Sequence, residues 1–369
     1  MGFEIDYDNA ITTTGNWYRM KQLMKHARDG GKLLIGFIGG SITQGSVASG
    51  PELCYAFRVY SWWKKKFPQA EFRYCNAGIG GTSSQFGVAR VEEDLLSYDP
   101  DFVIIDFSVN DDSNEHFLET YEGLVRRIYN SPKMPAMLLV HNVYYNTGGN
   151  AQLQHAKIGR YYQLPCVSMQ SSVYPEVVSG RIANRDITPD DLHPNDKGHE
   201  LVASVINHFL EKVYAQMDEP ETVAEDKGPL TANTYENSVR YCNRNSEPVL
   251  RGFVKDTTQQ KDITDCFKGG WTAQTKGDSI TFSVMGSGIS VQYRKSVLKP
   301  APVAKVIVDG DEAHGMILDA NFDEDWGDKL ELDTITEHSE KKEHSVYIEI
   351  IKSEDCVVPF YLASVIATN

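Results

Sequence analysis

The chain has 369 residues, 41% of them hydrophobic and 24% charged, an ordinary globular composition with room for more than one core. Its formal net charge of −15 argues against a nucleic-acid binder that works through backbone phosphates and selects nothing among neutral ligands. No run approaches the about 18 consecutive apolar residues of a membrane span.

The first residues, MGFEIDYDNAITTTGNW, have neither the basic start nor the apolar segment of a secretory signal. A secreted protein read after removal of its signal would look the same. The six cysteines form no CxxC pair, so metal-site spacing is absent. These features lead us to expect a cytoplasmic protein whose thiols are reduced and act as small hydrophobes.

The segment Lys32–Gly40 (KLLIGFIGG) predicts a first strand ending in glycines, and 53–67 predicts a helix. EFRYCNAG (Glu71–Gly78) reads as a second strand and 84–98 as a helix. DFVIIDFSVND (Asp101–Asp111) holds the near-continuous apolar run of a strand buried on both faces. A helix over 114–129, a strand over 135–143, a helix over 151–162, a strand over 165–169 and a long helix over 197–217 follow. Five strands alternating with helices imply an α/β domain with a mostly parallel sheet covered on both sides.

The rhythm then changes. Residues 218–230 carry five acidic residues against one lysine, with prolines and a glycine, and read as a linker or surface strap. Beyond them come SITFSVMG, GISVQYRK, AKVIVDG, HSVYIEII and VPFYLASVIA, an all-β pattern expected to form a sandwich or jelly roll. The expected division is 1–217, 218–230 and 231–369.

Four polar clusters follow predicted strands or precede the last helix: GGSITQG (39–45), NAGIGGTSS (76–84), SVNDD (108–112) and PDDLHPND (189–196). In an open parallel sheet such places converge at the carboxyl edge, where ligands bind. Ser41, after two glycines, is a candidate nucleophile, but a serine hydroxyl needs a base. His193 can supply it, with Asp190 three residues earlier to fix the imidazole tautomer. Asn110 and Gly81 are candidate donors to an oxyanion.

Each cluster also has a plainer reading. Ser41 could cap a helix, His193 could be a satisfied loop histidine, and Asn110 and Asp111 ordinary turn residues. A nucleotide-binding loop is disfavoured, since GFIGGS misses GxGxxG and no Walker lysine follows. Their joint occurrence favours the catalytic reading.

The sequence resembles the SGNH hydrolase superfamily, or GDSL esterases, whose signature residues are serine, glycine, asparagine and histidine in that order. GGSIT, NAGIGGTS, VND and DDLH match the four blocks over about residues 30 to 215. The resemblance implies a three-layer α/β fold, a Ser41–His193–Asp190 triad, and an oxyanion hole formed by Ser41, Gly81 and Asn110. Gly78, Gly80 and Gly81 all compete for the glycine role. GGSIT departs from GDSL, and Thr43 stands where an α/β-hydrolase elbow has its second glycine.

With the β domain, the chain further resembles carbohydrate esterase family 17, gut-bacterial acetylesterases of mannan oligosaccharides that favour the 2-O-acetyl group. Their second domain resembles a family 35 carbohydrate-binding module. The resemblance implies two-step acyl transfer without metal or organic cofactor and an acetylated oligosaccharide as the partner. Trp271, Tyr293, Trp326 and Asp328 are candidate sugar contacts, with buried aromatics and a solvated acidic loop as the plainer reading. The rival functions are a lipase or thioesterase of the same superfamily, a non-catalytic carbohydrate-binding protein, and an unrelated serine enzyme acting on peptides. Neither the oligomeric state nor the acetyl position follows from the sequence.

Overall fold

The computed structural model describes residues 4–369, which divide into two compact units, one ending at Asn233 and one spanning Thr234–Asn369. The first unit is built on six strands: β1 (Ile11–Thr13), β2 (Lys32–Gly39), β3 (Glu71–Gly78), β4 (Phe102–Asp106), β5 (Ala136–His141) and β6 (Cys166–Ser168). Their order across the sheet is β1-β6-β5-β4-β2-β3. β2 to β6 run parallel and β1 pairs antiparallel with β6. The α/β expectation therefore holds, with an added antiparallel edge.

The helices are α1 (Tyr18–Arg28), α2 (Ser41–Gln44), α3 (Tyr55–Lys66), α4 (Ser84–Asp94), α5 (Glu115–Tyr129), α6 (Gln152–Tyr161), α7 (Val173–Val178), α8 (Asn184–Ile187) and α9 (Asp196–Ala215). Strands β2, β4 and β5 are apolar on both faces because helices cover both. On one face Phe37, Phe102, Ile104, Leu138 and Val140 form a core with Trp63, Ile206 and Phe209. The chain leaves β2 for β3 on one side and then crosses to β4 on the other. β2 thus borders the switch point of a doubly wound sheet, where the loops separate and leave a crevice.

The apolar run from Asp101 ends as a strand at Asp106, earlier than its hydrophobicity predicts. The amides of Asn110 and Asp111 both bond to the Phe107 carbonyl, which curls the chain into a turn.

Residues 218–233 lie along the first unit. Glu221 bonds to Lys21 at 2.9 Å and accepts the Trp17 amide. The Lys227 carbonyl accepts from Arg126. The buried Glu122 carboxylate receives the amides of Leu230 and Thr231 and the Tyr162 hydroxyl. The strap reading of this segment describes it better than a free linker.

The second unit is an antiparallel sandwich. One sheet holds β7 (Val239–Tyr241), β9 (Val254–Lys255), β10 (Trp271–Ala273), β12 (Gly288–Lys295), β15 (Lys329–Thr336) and β17 (Phe360–Thr368). The other holds β8 (Val249–Arg251), β11 (Ser279–Gly286), β13 (Val303–Val308), β14 (Met316–Asp319) and β16 (Lys342–Lys352). Alternating burial along β11 and β16 marks faces turned to a shared core.

Two candidate sugar contacts need correction here. Trp271 is wholly buried, edge-on to Phe282, and Tyr293 is 2% exposed and stacked on Phe360. Both are core residues with no free face for a sugar. Trp326 is 59% exposed, in edge contact with Phe322. Asp328 accepts from the Ser296 hydroxyl and the Val297 amide, so it ties the residue before β15 to the segment that follows β12.

Removing the buried carboxylate leaves the Leu230 and Thr231 amides without an acceptor and turns the Tyr162 hydroxyl over to the more distant Gly228 carbonyl at 3.3 Å. We expect Glu122→Ala to destabilise the chain by about 1–3 kcal/mol, measured by urea denaturation. An unchanged midpoint would mean that the strap adds nothing to stability.

Candidate active site

Ser41 opens α2 directly after β2. Gly39 and Gly40 are required by packing: a Cβ on Gly39 would fall 2.2 Å from Thr43 Oγ1, and one on Gly40 2.1 Å from Asn110 Oδ1. The carboxamide of Asn110 therefore lies against the backbone immediately before Ser41. α2 stops after one turn because Gly45 adopts the left-handed conformation, φ +98°.

Beneath α2 lies a buried polar cluster. Thr43 Oγ1 bonds to Tyr55 OH at 2.8 Å and to Asp106 Oδ2 at 3.3 Å, and Asn142 donates to the same oxygen at 2.8 Å. Burial pushes the Asp106 carboxyl up to about 7, against the lowering effect of the Asn142 and Thr43 hydrogen bonds.

The loop before α9 delivers the imidazole. Asp190 Oδ1 accepts the amides of Leu192 and His193 and the Thr188 hydroxyl. Asp191 stands in the left-handed region at φ +71°, with its carboxylate held by Asn184 and Arg185. Asn195 caps α9 through the amides of Lys197 and Gly198. The loop after α2 is tied to the same helix start, since Ser49 bonds twice to Asp196.

The product is a continuous relay. His193 Nδ1 lies 2.6 Å from Asp190 Oδ2, and His193 Nε2 lies 2.8 Å from Ser41 Oγ. With Nδ1–H donating to the carboxylate, Nε2 presents its lone pair to the serine hydroxyl. Burial would raise the Asp190 carboxyl, but hydrogen bonds from the His193 ring and the His193 and Leu192 amides outweigh it and hold it at about 2.

Of the three competing glycines, two have occupied amides. Gly78 N–H donates to Asn76 Oδ1 at 2.9 Å, and Gly80 N–H to Gln44 Oε1 at 2.6 Å. Neither Gly81 N–H nor Ser41 N–H meets an acceptor among the described residues. The arrangement thus offers a base-activated hydroxyl beside free amide donors, the equipment for attack on a carbonyl. Among the described residues, no cluster of three or more His, Cys, Asp or Glu side chains could hold a metal ion. Among those same residues, no helix is long and apolar enough to cross a membrane.

Residues 37–201 match the GDSL-like Lipase/Acylhydrolase family. Over 99% of both chains, the protein is 63% identical, with a TM-score of 0.98, to a two-domain esterase (CEX) active on acetylated mannans. The chain belongs to the GDSL-like lipase and acylhydrolase family. A structure of the CEX esterase co-crystallized with mannopentaose is similar at 64% identity and TM-score 0.96, over 100% of this chain and 99% of that one. A search of curated proteins finds no match.

Within this family member, the structure brings Ser41, His193 and Asp190 into one chain of hydrogen bonds and sets Asn110 beside Gly40. Sequence reasoning missed Gln44, Asp106, Asn142 and Asp191. Only Gln44 carried a usable signal, since it lies three residues after Ser41, on the same helical turn.

The depressed Asp190 carboxyl stabilises the folded chain above the unfolded pKa of about 3.9. That contribution disappears as pH falls through about 2. We expect the stability gap between wild type and Asp190→Asn to be full near neutrality and to shrink between about pH 4 and about pH 2. Denaturant titrations at stepped pH check this, and a gap that stays constant would contradict it.

Proposed function

We propose that the chain removes acetyl groups from acetylated mannan oligosaccharides by acyl transfer through Ser41, favouring the 2-O-acetyl position. The observation that carries this reading is the Asp190–His193–Ser41 relay, with contacts of 2.6 and 2.8 Å. The near-complete coverage by the CEX esterase, which acts on acetylated mannans, supports the substrate class.

His193 Nε2 takes the proton from Ser41 Oγ as the oxygen attacks the acetyl carbonyl. The Ser41 and Gly81 amides and the Asn110 carboxamide hold the oxyanion. The C–O bond to the sugar breaks, and the sugar oxygen takes the proton from His193. Water then repeats the sequence on the acetyl-serine, releasing acetate and restoring the hydroxyl. Asp190 keeps the imidazole aligned and stabilises its charged form. In the second unit, the exposed Trp326 is the remaining aromatic candidate for stacking on a sugar ring.

We expect Ser41→Ala to fold normally and to lower turnover of an aryl acetate by about 10³-fold or more. Wild-type turnover by the folded variant would reject the nucleophile. Acyl size tests the substrate: kcat/KM should fall from acetyl to butyryl to octanoyl esters, by about 1 kcal/mol or more for each methylene that finds no room. Acetate should be released from acetylated mannan oligosaccharides ahead of acetylated xylan or pectin. A preference for octanoyl esters would point instead to a lipase or thioesterase.

A further inference from the structure

We infer that Gln44 is the positioning residue that locks the oxyanion glycine loop to the nucleophile, an inference that rests on the acyl-transfer reading above. α2 is a single turn, and Ser41 and Gln44 are its first and last residues. At that separation one short element can present a hydroxyl to the site and a side-chain acceptor to the neighbouring loop.

Gln44 Oε1 receives the Gly80 amide at 2.6 Å. The glycine loop is fastened to α2 at two further points. Asn76 donates to the Thr43 carbonyl at 2.7 Å while accepting the Gly78 amide. Gly78 packs so closely that an added Cβ would lie 2.2 Å from the Gln44 amide nitrogen. An added Cβ on Gly80 would lie 3.0 Å from Gln44 Oε1 and 3.6 Å from Ser41 Cβ, so this loop passes directly beside the nucleophile.

The alternation of amides gives the clamp its purpose. With Gly78 and Gly80 occupied, Gly81 is the amide left for a ligand among the three glycines, and its left-handed backbone (φ +68°) sets the turn that aims it. Without Gln44, the Gly80 amide is itself a free donor, the turn can rotate, and Gly81 loses its fixed direction. An oxyanion hole acts by being organised before charge develops, so this loss falls on the transition state more than on substrate binding. Asn76 holds the strand end at Gly78 and the Thr82 hydroxyl bonds back to the Ile79 carbonyl at 2.7 Å, whereas Gln44 holds Gly80, the residue immediately before the donor.

The test compares Gln44→Met, of similar length but without the amide acceptor, with Gln44→Glu, which keeps an acceptor at the same reach. Gln44→Ser replaces the methionine variant if that one does not fold. On an aryl acetate, Gln44→Met should lose about 10- to 100-fold in kcat, with KM and melting temperature near wild type. The rate of covalent inactivation by a small organophosphonate, which forms the same kind of oxyanion, should fall in parallel. Gln44→Glu should recover at least part of the lost kcat, most clearly toward acidic pH, where its carboxyl is neutral. Wild-type kcat in Gln44→Met, or equal losses in both variants across pH, would overturn the inference. So would a loss confined to KM or melting temperature. Ser41→Ala, measured alongside, separates the two readings: if it is inactive while Gln44→Met is unaffected, the clamp fails and the acyl-transfer reading stands.

Discussion

The hydrogen bond between Ser41 Oγ and His193 Nε2 joins residues 152 positions apart in the chain, and much of the first unit serves to make it possible. A serine hydroxyl and an imidazole in water would meet rarely and in many orientations. Here each sits on an element fixed from below and from the side. α2 is fixed by the Gly39 and Gly40 contacts and by the buried Thr43–Asp106–Tyr55 cluster. The histidine loop is fixed by the Asp190 bonds and by the Asn195 cap of α9. Folding has thus already met the entropic demand of aligning the hydroxyl with its base.

The polar cluster under α2 shows the tension in such a design. Asp106 is fully surrounded by protein, and burial raises its carboxyl to about 7, a destabilising placement for a charged group. Its bonds to Thr43 and Asn142 nevertheless join α2 and the segment after β5 to the end of β4. These elements meet at the switch point of the sheet, where the crevice has to keep its shape. Unpaired or raised polar groups are more tolerable where they order a site than elsewhere in a core.

Much of this was legible in the sequence. The strands around Lys32, Phe102 and Ala136 announced themselves as apolar runs, because strands buried on both faces leave no room for alternation. The serine, asparagine and histidine blocks stood at strand ends or before the last helix, and the sheet gathers those places along one edge. Less visible was β1, which at three residues is too short to show alternation, whereas α1 buries Met20, Leu23, Met24 and Ala27 at helical spacing, a signal the sequence did carry. The sandwich aromatics misled for a physical reason: Trp271 and Tyr293 have the chemistry to stack on sugars, but composition does not say which side of a strand faces the core. The resemblance favoured Gly81 among the glycines, but the physical basis of that choice lay out of reach, since it depends on which amides neighbouring side chains occupy. Gln44 and Asn76 make that choice in three dimensions.

Trapping the acyl-enzyme tests the account most directly. A rapid-quench reaction with an acetyl ester, digested and analysed by mass spectrometry, should show a transient peptide containing Ser41 that is heavier by one acetyl group. The adduct should vanish as acetate is released and should not form in Ser41→Ala. Acetyl transfer found on another side chain, or full turnover with no acetyl ever carried on Ser41, would contradict the account.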